Sequence, residues 1–94
     1  MTLNQLKYIV ELSKDSSINE AAKKLFISQP SLTASLKSLE QEVGFEIFAR
    51  TKSGISLTVK GREFLGYAKS VIEQYDILDA KYIFMSLCSI TRLR

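Results

Sequence analysis

The sequence contains no histidine, no tryptophan and only one cysteine, and these absences remove several classes of function. Zinc sites are built from histidine, cysteine and carboxylate ligands, and a serine–histidine–aspartate triad needs its imidazole, so we expect neither here. Cys88 alone cannot form an internal disulfide bond, which favours a reducing compartment such as the cytoplasm.

Long apolar runs, a targeting segment and a phosphate loop are also missing. No run reaches the roughly 18 apolar residues that a membrane helix needs, and the first residues carry no basic charge of the kind that starts a signal peptide. No glycine-rich phosphate loop occurs. The ten carboxylates are scattered along predicted helix faces, mostly near lysines, in no spacing that favours acid–base catalysis. We therefore expect no membrane span, no cofactor and no enzymatic activity.

What is present is one small, mildly basic domain of 94 residues with a net charge of +3. A chain of this size buries only roughly 60–65% of its unfolded surface, so a partner subunit would help to stabilise it. The charge is unevenly distributed, because residues 47–62 contain four basic residues and no acidic one. The net charge alone is weak evidence for nucleic-acid binding, and its distribution says more than the total.

Residues 28–44 have the features of a complete helix. Ser28 is a suitable N-cap, Pro30 fits the first turn, and Gly44 suits the left-handed position after the last turn. An apolar stripe runs between these caps at spacings of four, three and four residues. The stripe consists of Leu32, Leu36, Leu39 and Val43.

The opposite face of this helix is polar, with short side chains near its start. It consists of Gln29, Ser31, Thr33, Ser35, Lys37, Ser38 and Gln41. Small hydroxyls and an amide can approach base edges in a DNA major groove, where glutamine pairs bidentately with adenine. This pattern favours a recognition helix, and the alternative is an ordinary solvent-exposed helix.

Two helices are predicted before this one. The first covers residues 2–14, where Thr2 and Gln5 form a capping box, and the second begins after Ser17, with Glu20 completing another capping box. A turn of about three or four residues around Phe26 then leads into Ser28, which is the spacing of a helix-turn-helix, although no glycine marks the turn.

After Gly44 the pattern changes to two short extended segments, residues 45–50 and 55–57, joined by a turn at residues 51–54. The basic residues at its tip, Arg50 and Lys52, are placed to contact phosphates or the minor groove. Such a hairpin beside a recognition helix is a wing, although a basic tip also occurs simply for solubility.

A long helix is predicted from the N-cap Thr58 onward, with apolar residues alternating at spacings of three and four. The seam consists of Gly61, Phe64, Ala68, Val71, Tyr75, Leu78, Tyr82 and Met85, and Leu65 and Ile72 broaden it. We expect the first two turns to pack on their own domain. The remainder is too long for that and is predicted to pair with the same helix of a second copy.

The order of these elements and several short phrases resemble the N-terminal domain of LysR-type transcriptional regulators over about residues 2–80. The phrases are Ala21-Ala22-Lys23-Lys24-Leu25, Ser28-Gln29-Pro30-Ser31-Leu32, Leu39-Glu40, Gly44, Leu57-Thr58 and Gly61. The resemblance implies a mainly α winged helix-turn-helix with a long C-terminal dimerisation helix. It also implies sequence-specific binding of bacterial promoter DNA by a homodimer, or a higher oligomer, in the cytoplasm.

The resemblance divides the chain into a winged helix-turn-helix (residues 1–57), a long dimerisation helix (58–85) and a tail of unknown structure (86–94). Family members are longer and carry an effector-binding domain. This chain has no room for one, so we expect no small-molecule effector site in it. An alternative is a shortened regulator that acts as a protein-interaction module through the long helix.

Specific residues are predicted for both contacts. Those for DNA are Ser28, Gln29, Pro30, Ser31, Thr33, Ala34, Lys37, Arg50, Lys52 and Ser53. Those for the dimer are Phe64, Ala68, Val71, Ile72, Tyr75, Leu78 and Tyr82. Ala34 and Ser53 stand where the family often has a basic residue, so Lys37 and Lys52 are the expected substitutes.

Overall fold

In residues 1–15 and 17–83, the part of the chain that this computed structural model describes, three helices precede a two-stranded hairpin and a long helix follows it. The elements are α1 (Leu3–Lys14), α2 (Ile18–Leu25), α3 (Gln29–Val43), β1 (Phe48–Thr51), β2 (Gly54–Leu57) and α4 (Val59–Leu78). A single π-helical turn, Asp79–Ile83, continues α4. This order confirms the predicted fold class, while the predictions for Met85 and residues 86–94 lie outside the described residues.

Side-chain caps set the helix starts, largely as predicted. The Thr2 hydroxyl accepts from the Gln5 backbone N–H at 3.1 Å, and the Gln5 side chain accepts from the Thr2 N–H at 2.9 Å. At α2 the Ser17 hydroxyl accepts from the Glu20 N–H at 3.1 Å. The Glu20 carboxylate lies 3.7 Å from Lys23 Nζ, so it forms a salt bridge in place of the second half of the predicted box.

The turn between α2 and α3 is made without glycine because Phe26 takes the left-handed conformation, with φ of 59°. In this position the Phe26 N–H donates to the Lys23 carbonyl and the Ile27 N–H donates to the Ala22 carbonyl, which closes the end of α2. The Phe26 side chain is 94% exposed, so burial does not offset the roughly 1–2 kcal/mol that this backbone costs a non-glycine residue.

The core forms where α1, α2 and α3 meet the root of the hairpin and the first half of α4. Its largest fully buried side chains are Ile9, Leu12, Leu32, Leu39 and Ile47. Three residues of the predicted α3 stripe, Leu32, Leu36 and Leu39, are buried, and Val43 is half-buried at the edge. Because this stripe faces inward, the polar face of α3 is turned outward.

The hairpin starts later than predicted. Its strands pair from Phe48 with Leu57 to Thr51 with Gly54, so the connecting loop is only Lys52 and Ser53. Residues 45–47 are not a strand, because their backbone groups bond to side chains instead of to a neighbouring strand. The Ile47 N–H donates to the Glu40 carboxylate of α3 at 2.7 Å, and the Glu46 carbonyl accepts from the Thr58 hydroxyl at 2.6 Å.

Helix α4 packs on its own domain for more than the two turns expected. Gly61, Leu65 and Ala68 are buried, and Ile72 is half-buried. Gly61 lies in the two turns that were predicted to pack on their own domain, and a Cβ there would lie 2.8 Å from the Ile47 carbonyl carbon. It therefore allows a close approach of two backbones, a requirement that the apolar spacing did not indicate.

Candidate nucleic-acid interface

The start of α3 presents polar side chains on a rigid, capped turn. Ser28 caps the helix as predicted, accepting from the Ser31 N–H at 3.2 Å, and its hydroxyl also lies 2.8 Å from the Ser31 hydroxyl. These two hydroxyls are thus partly engaged with each other. Gln29 and Pro30 lie between these two serines and are exposed, so the Gln29 amide is free to reach outward from a fixed backbone.

Two clefts bring the predicted DNA-contacting residues together. The first, which we call the tip cleft, has a volume of about 280 Å³ and lies between Gln29, the start of α2 and the hairpin residues Arg50 and Lys52. The second, the helix–wing cleft, has a volume of about 430 Å³ and is lined in part by Thr33, Lys37 and Arg50. Arg50 lines both, so one continuous face joins the recognition helix to the wing.

The other predicted residues lie beside these clefts and do not line them. Pro30, Ser31 and Ala34 are exposed on α3, and Ser53 is exposed in the hairpin loop, 3.4 Å from the Thr51 hydroxyl. These exposed residues are accessible to a ligand as large as a DNA duplex.

Sequence reasoning missed residues at the interface. Ser17 and Asn19, at the start of α2, line the tip cleft beside Gln29. Glu40 and Glu46 line the helix–wing cleft, which is therefore mixed in charge. The only sequence signal for Glu40 was its place in a family phrase, and nothing in the periodicity assigned it a contact.

The basic residues of α2 differ from those of the hairpin in their pairing. Lys24 Nζ donates to Asp15 Oδ1 at 2.6 Å, which lowers the pKa of Asp15 and raises that of Lys24. Among the described residues, no carboxylate lies within 4.0 Å of a charged nitrogen of Arg50 or Lys52. The hairpin cations are thus the ones available to an external anion.

The residues predicted for the dimer have mixed surroundings. Ala68 is 3% exposed inside its own chain, and Phe64 packs edge-on against Phe45 with ring centroids 6.2 Å apart. An apolar stripe beyond them is exposed, and we call it the outer flank of α4. The outer flank consists of Val71, Tyr75, Leu78 and Tyr82.

Two features are missing from the described part of the chain. Across residues 1–15 and 17–83, no helix combines the length and apolar character that crossing a membrane requires. The same residues contain no group of three or more cysteine, aspartate or glutamate side chains placed to hold a metal ion.

Residues 3–62 match the family described as bacterial regulatory helix-turn-helix protein, lysR family. The transcriptional regulator ClcR of Pseudomonas putida is 36% identical over 77 residues, which are 82% of this chain and 26% of ClcR. BsdA of Bacillus subtilis (strain 168) is 38% identical over 77 residues, which are 81% of this chain and 27% of BsdA. The chain thus spans about a quarter of the length of these curated relatives.

Solved structures agree with this match over almost the whole chain. The crystal structure of a CbnR_DBD–DNA complex superposes with a TM-score of 0.85 at 30% identity and covers 92% of this chain and 99% of that one. The BenM_DBD/benA site 1 DNA complex gives a TM-score of 0.85 at 29% identity and covers 92% and 97%.

Proposed function

Because the chain belongs to the LysR family of bacterial regulatory helix-turn-helix proteins, whose DNA-binding domain it matches, we propose that it binds promoter DNA sequence-specifically as a homodimer. One observation carries the proposal. Gln29, at the exposed start of α3, shares a cleft with the hairpin cations Arg50 and Lys52. The related CbnR and BenM domains were crystallised with DNA, which supports a duplex as the ligand.

In this proposal α3 enters the major groove, and Gln29 reads a base. The first turn of a recognition helix is the part that usually reaches base edges, and an amide offers both a donor and an acceptor. Pro30 and Thr33 shape the same contact. Lys37, further along the face, contributes attraction to the backbone phosphates.

We test base reading by replacing Gln29 with alanine. The expected loss is on the order of 1–3 kcal/mol per half-site on the cognate sequence only, at one fixed salt concentration. Gln41→Ala is the matched control, because Gln41 is an exposed glutamine near the other end of α3. Equal loss on cognate and scrambled duplexes would assign Gln29 to a phosphate and not to a base.

The hairpin contributes charge in this proposal, through Arg50 and Lys52. Replacing Lys52 with alanine should weaken binding about equally for all sequences and lower the salt slope by about one unit per subunit. Lys69→Ala, on the exposed side of α4, is the matched control and should leave the slope unchanged. A loss confined to one operator sequence contradicts this role.

The homodimer is proposed to form through the outer flank of α4, with the two long helices antiparallel. Half-exposed apolar side chains along one stripe support this, because a stripe of this kind gains from being covered. Ile72, half-buried against α1, would lie at the edge of that contact.

A second candidate function rests on the same stripe. A chain whose outer flank pairs with a longer relative would act as a protein-interaction module and need not bind DNA alone. Gel retardation with the purified chain separates the two, since binding without a partner favours the first. Selecting bound sites from random duplexes then gives the operator, which we expect to be an inverted repeat.

The remaining assignments follow from this function. We propose a cytoplasmic location, where bacterial DNA is found, and no catalytic role. The proposed division is residues 1–57 for DNA and 58–85 for the dimer contact.

A further inference from the structure

Ile47 is held by two helices at once. Its N–H donates to Glu40 Oε2 on α3 at 2.7 Å, and the Phe48 N–H donates to the same oxygen at 3.1 Å. Its carbonyl accepts from the Thr58 N–H, at the start of α4, at 3.0 Å. The side chain is fully buried. This residue is therefore the junction between α3, the hairpin and α4.

The hairpin depends on this junction for its position. A two-stranded hairpin is only marginally stable alone, so packing at its root must fix where it lies. The other end of the root is fixed by Thr58, whose hydroxyl donates to the Glu46 carbonyl at 2.6 Å. Glu40 is the link from the root to α3, and a carboxylate that accepts two backbone N–H groups makes strong, directional bonds.

We propose that Glu40 is a positioning residue for DNA binding. Its carboxylate fixes the root of the hairpin so that Arg50 and Lys52 face the same duplex as Gln29. This inference rests on the proposed function and deepens it, because Glu40 itself contacts no DNA.

The sign of the effect separates positioning from simple charge. Glu40 lies in the helix–wing cleft beside Lys37 and Arg50, so removing its negative charge should strengthen DNA binding by electrostatics alone. A positioning role predicts instead that removing the Glu40 carboxylate weakens DNA binding. Glu46 lines the same cleft, and its side chain is exposed, so Glu46→Ala removes an equal charge without removing a backbone acceptor.

The DNA experiment is a double-mutant cycle of Glu40→Ala with Lys52→Ala. One phosphate contact raises the binding constant about eightfold at 0.1 M salt relative to 1 M salt, if log K falls by 0.9 per tenfold rise in salt concentration. We expect Glu40→Ala to lose at least that factor per subunit, and Lys52→Ala to add little in the Glu40→Ala background. Glu46→Ala should instead bind more tightly, because it only removes a negative charge from the cleft. The loss of affinity from Gln29→Ala should remain additive with the loss from Glu40→Ala. Tighter binding by Glu40→Ala, or full additivity with Lys52→Ala, overturns the proposal.

Glu40→Gln keeps the test decisive if Glu40→Ala does not fold. Its amide oxygen can accept the same two N–H groups, so positioning predicts that most of the affinity is retained, with the wild-type salt slope. A folded Glu40→Gln that loses the affinity as fully as Lys52→Ala contradicts the proposal.

A measurement without DNA distinguishes failure here from failure of the proposed function. Amide hydrogen exchange should show the Ile47 and Phe48 N–H groups protected in wild type and much faster in Glu40→Ala, with α1 amides unchanged. If wild type fails to bind DNA although these amides behave as expected, the proposed DNA-binding function is wrong, but the link between Glu40 and the hairpin root stands. Unchanged exchange at both amides refutes the link itself.

Discussion

The two halves of α4 carry the same apolar pattern in different surroundings. In the first half, Leu65 is 8% exposed and Ala68 3%, both against their own domain. In the second half, Val71 is 50% exposed and Leu78 56%. Apolar periodicity thus identifies a face that gains from being covered. Whether the cover is the same chain or another one depends on how far α1 and the hairpin root extend along the helix.

The largest contrast between covered and open positions of α4 should appear at its two glycines, which both lie in the first half, Gly61 buried and Gly66 exposed. Gly61→Ala should destabilise the domain by roughly 3 kcal/mol or more, because the new methyl group meets the Ile47 backbone, which cannot move aside. At Gly66 nothing lies within 4 Å of an added Cβ. Gly66→Ala should therefore stabilise by about 0.5–1 kcal/mol through helix propensity. Urea denaturation of both variants is the measurement, and equal effects would remove the distinction.

Leucine truncation gives a second contrast. Leu65→Ala should lower the free energy of unfolding by roughly 2–4 kcal/mol at any protein concentration, because it leaves a cavity in the core. Leu78→Ala should lower the apparent stability only at concentrations where the dimer forms, because it affects association. Thermal unfolding at two protein concentrations checks both. A concentration-independent loss for Leu78→Ala would mean that this side chain is covered within its own chain.

Charge in the outer flank should break the dimer without unfolding the domain. Val71→Asp puts an unpaired carboxylate in the proposed contact, which should weaken association at least about a hundredfold. Val59→Asp is the matched control, since Val59 is 89% exposed but lies in the first turn of α4, away from the outer flank. Sedimentation equilibrium measures both variants. A Val71→Asp chain that remains dimeric, or a Val59→Asp chain that dissociates equally, places the interface elsewhere.

The smallest expected effect tests whether a single exposed apolar residue marks an interface in the way that the outer flank of α4 is proposed to do. Phe26 is the most exposed of the large apolar residues described, yet it stands alone in a left-handed turn. Phe26→Gly should relieve backbone strain and stabilise the domain by about 0.5–1 kcal/mol, or roughly 2–8 °C in melting temperature. Dimerisation should be unchanged. A weaker dimer after this change would extend the interface to the α2–α3 turn.

Local signals explain what was predictable from the sequence. The caps at Thr2, Ser28 and Thr58 join residues three positions apart, so their hydrogen bonds follow from spacing alone. The apolar stripe of α3 is equally local, and it determines which face is left for DNA.

Contacts between distant segments account for what was not predictable. The Glu40 bond to Ile47 depends on where the chain returns after Gly44, and the start of β1 shifted to Phe48 for the same reason. The spacing places Gly61 at an apolar position. It does not show that this position must be glycine, because that requirement comes from the Ile47 backbone, which a Cβ at residue 61 would meet. The dimer contact and the base contacts remain predictions.

The π turn at Asp79–Ile83 bears on how two copies of α4 would be positioned against each other. A π turn holds more residues than an α turn, so the outer flank keeps the regular α-helical register as far as Leu78, and Tyr82 is displaced from that register. An antiparallel contact would then centre near Tyr75, and Gly61 lies about 21 Å along the axis from that point at 1.5 Å per residue. Two copies would hold their wing roots about 42 Å apart along the helix axis. In the described part of the chain, the separation of the two wing roots would therefore depend on where the α-helical turns give way to the π turn.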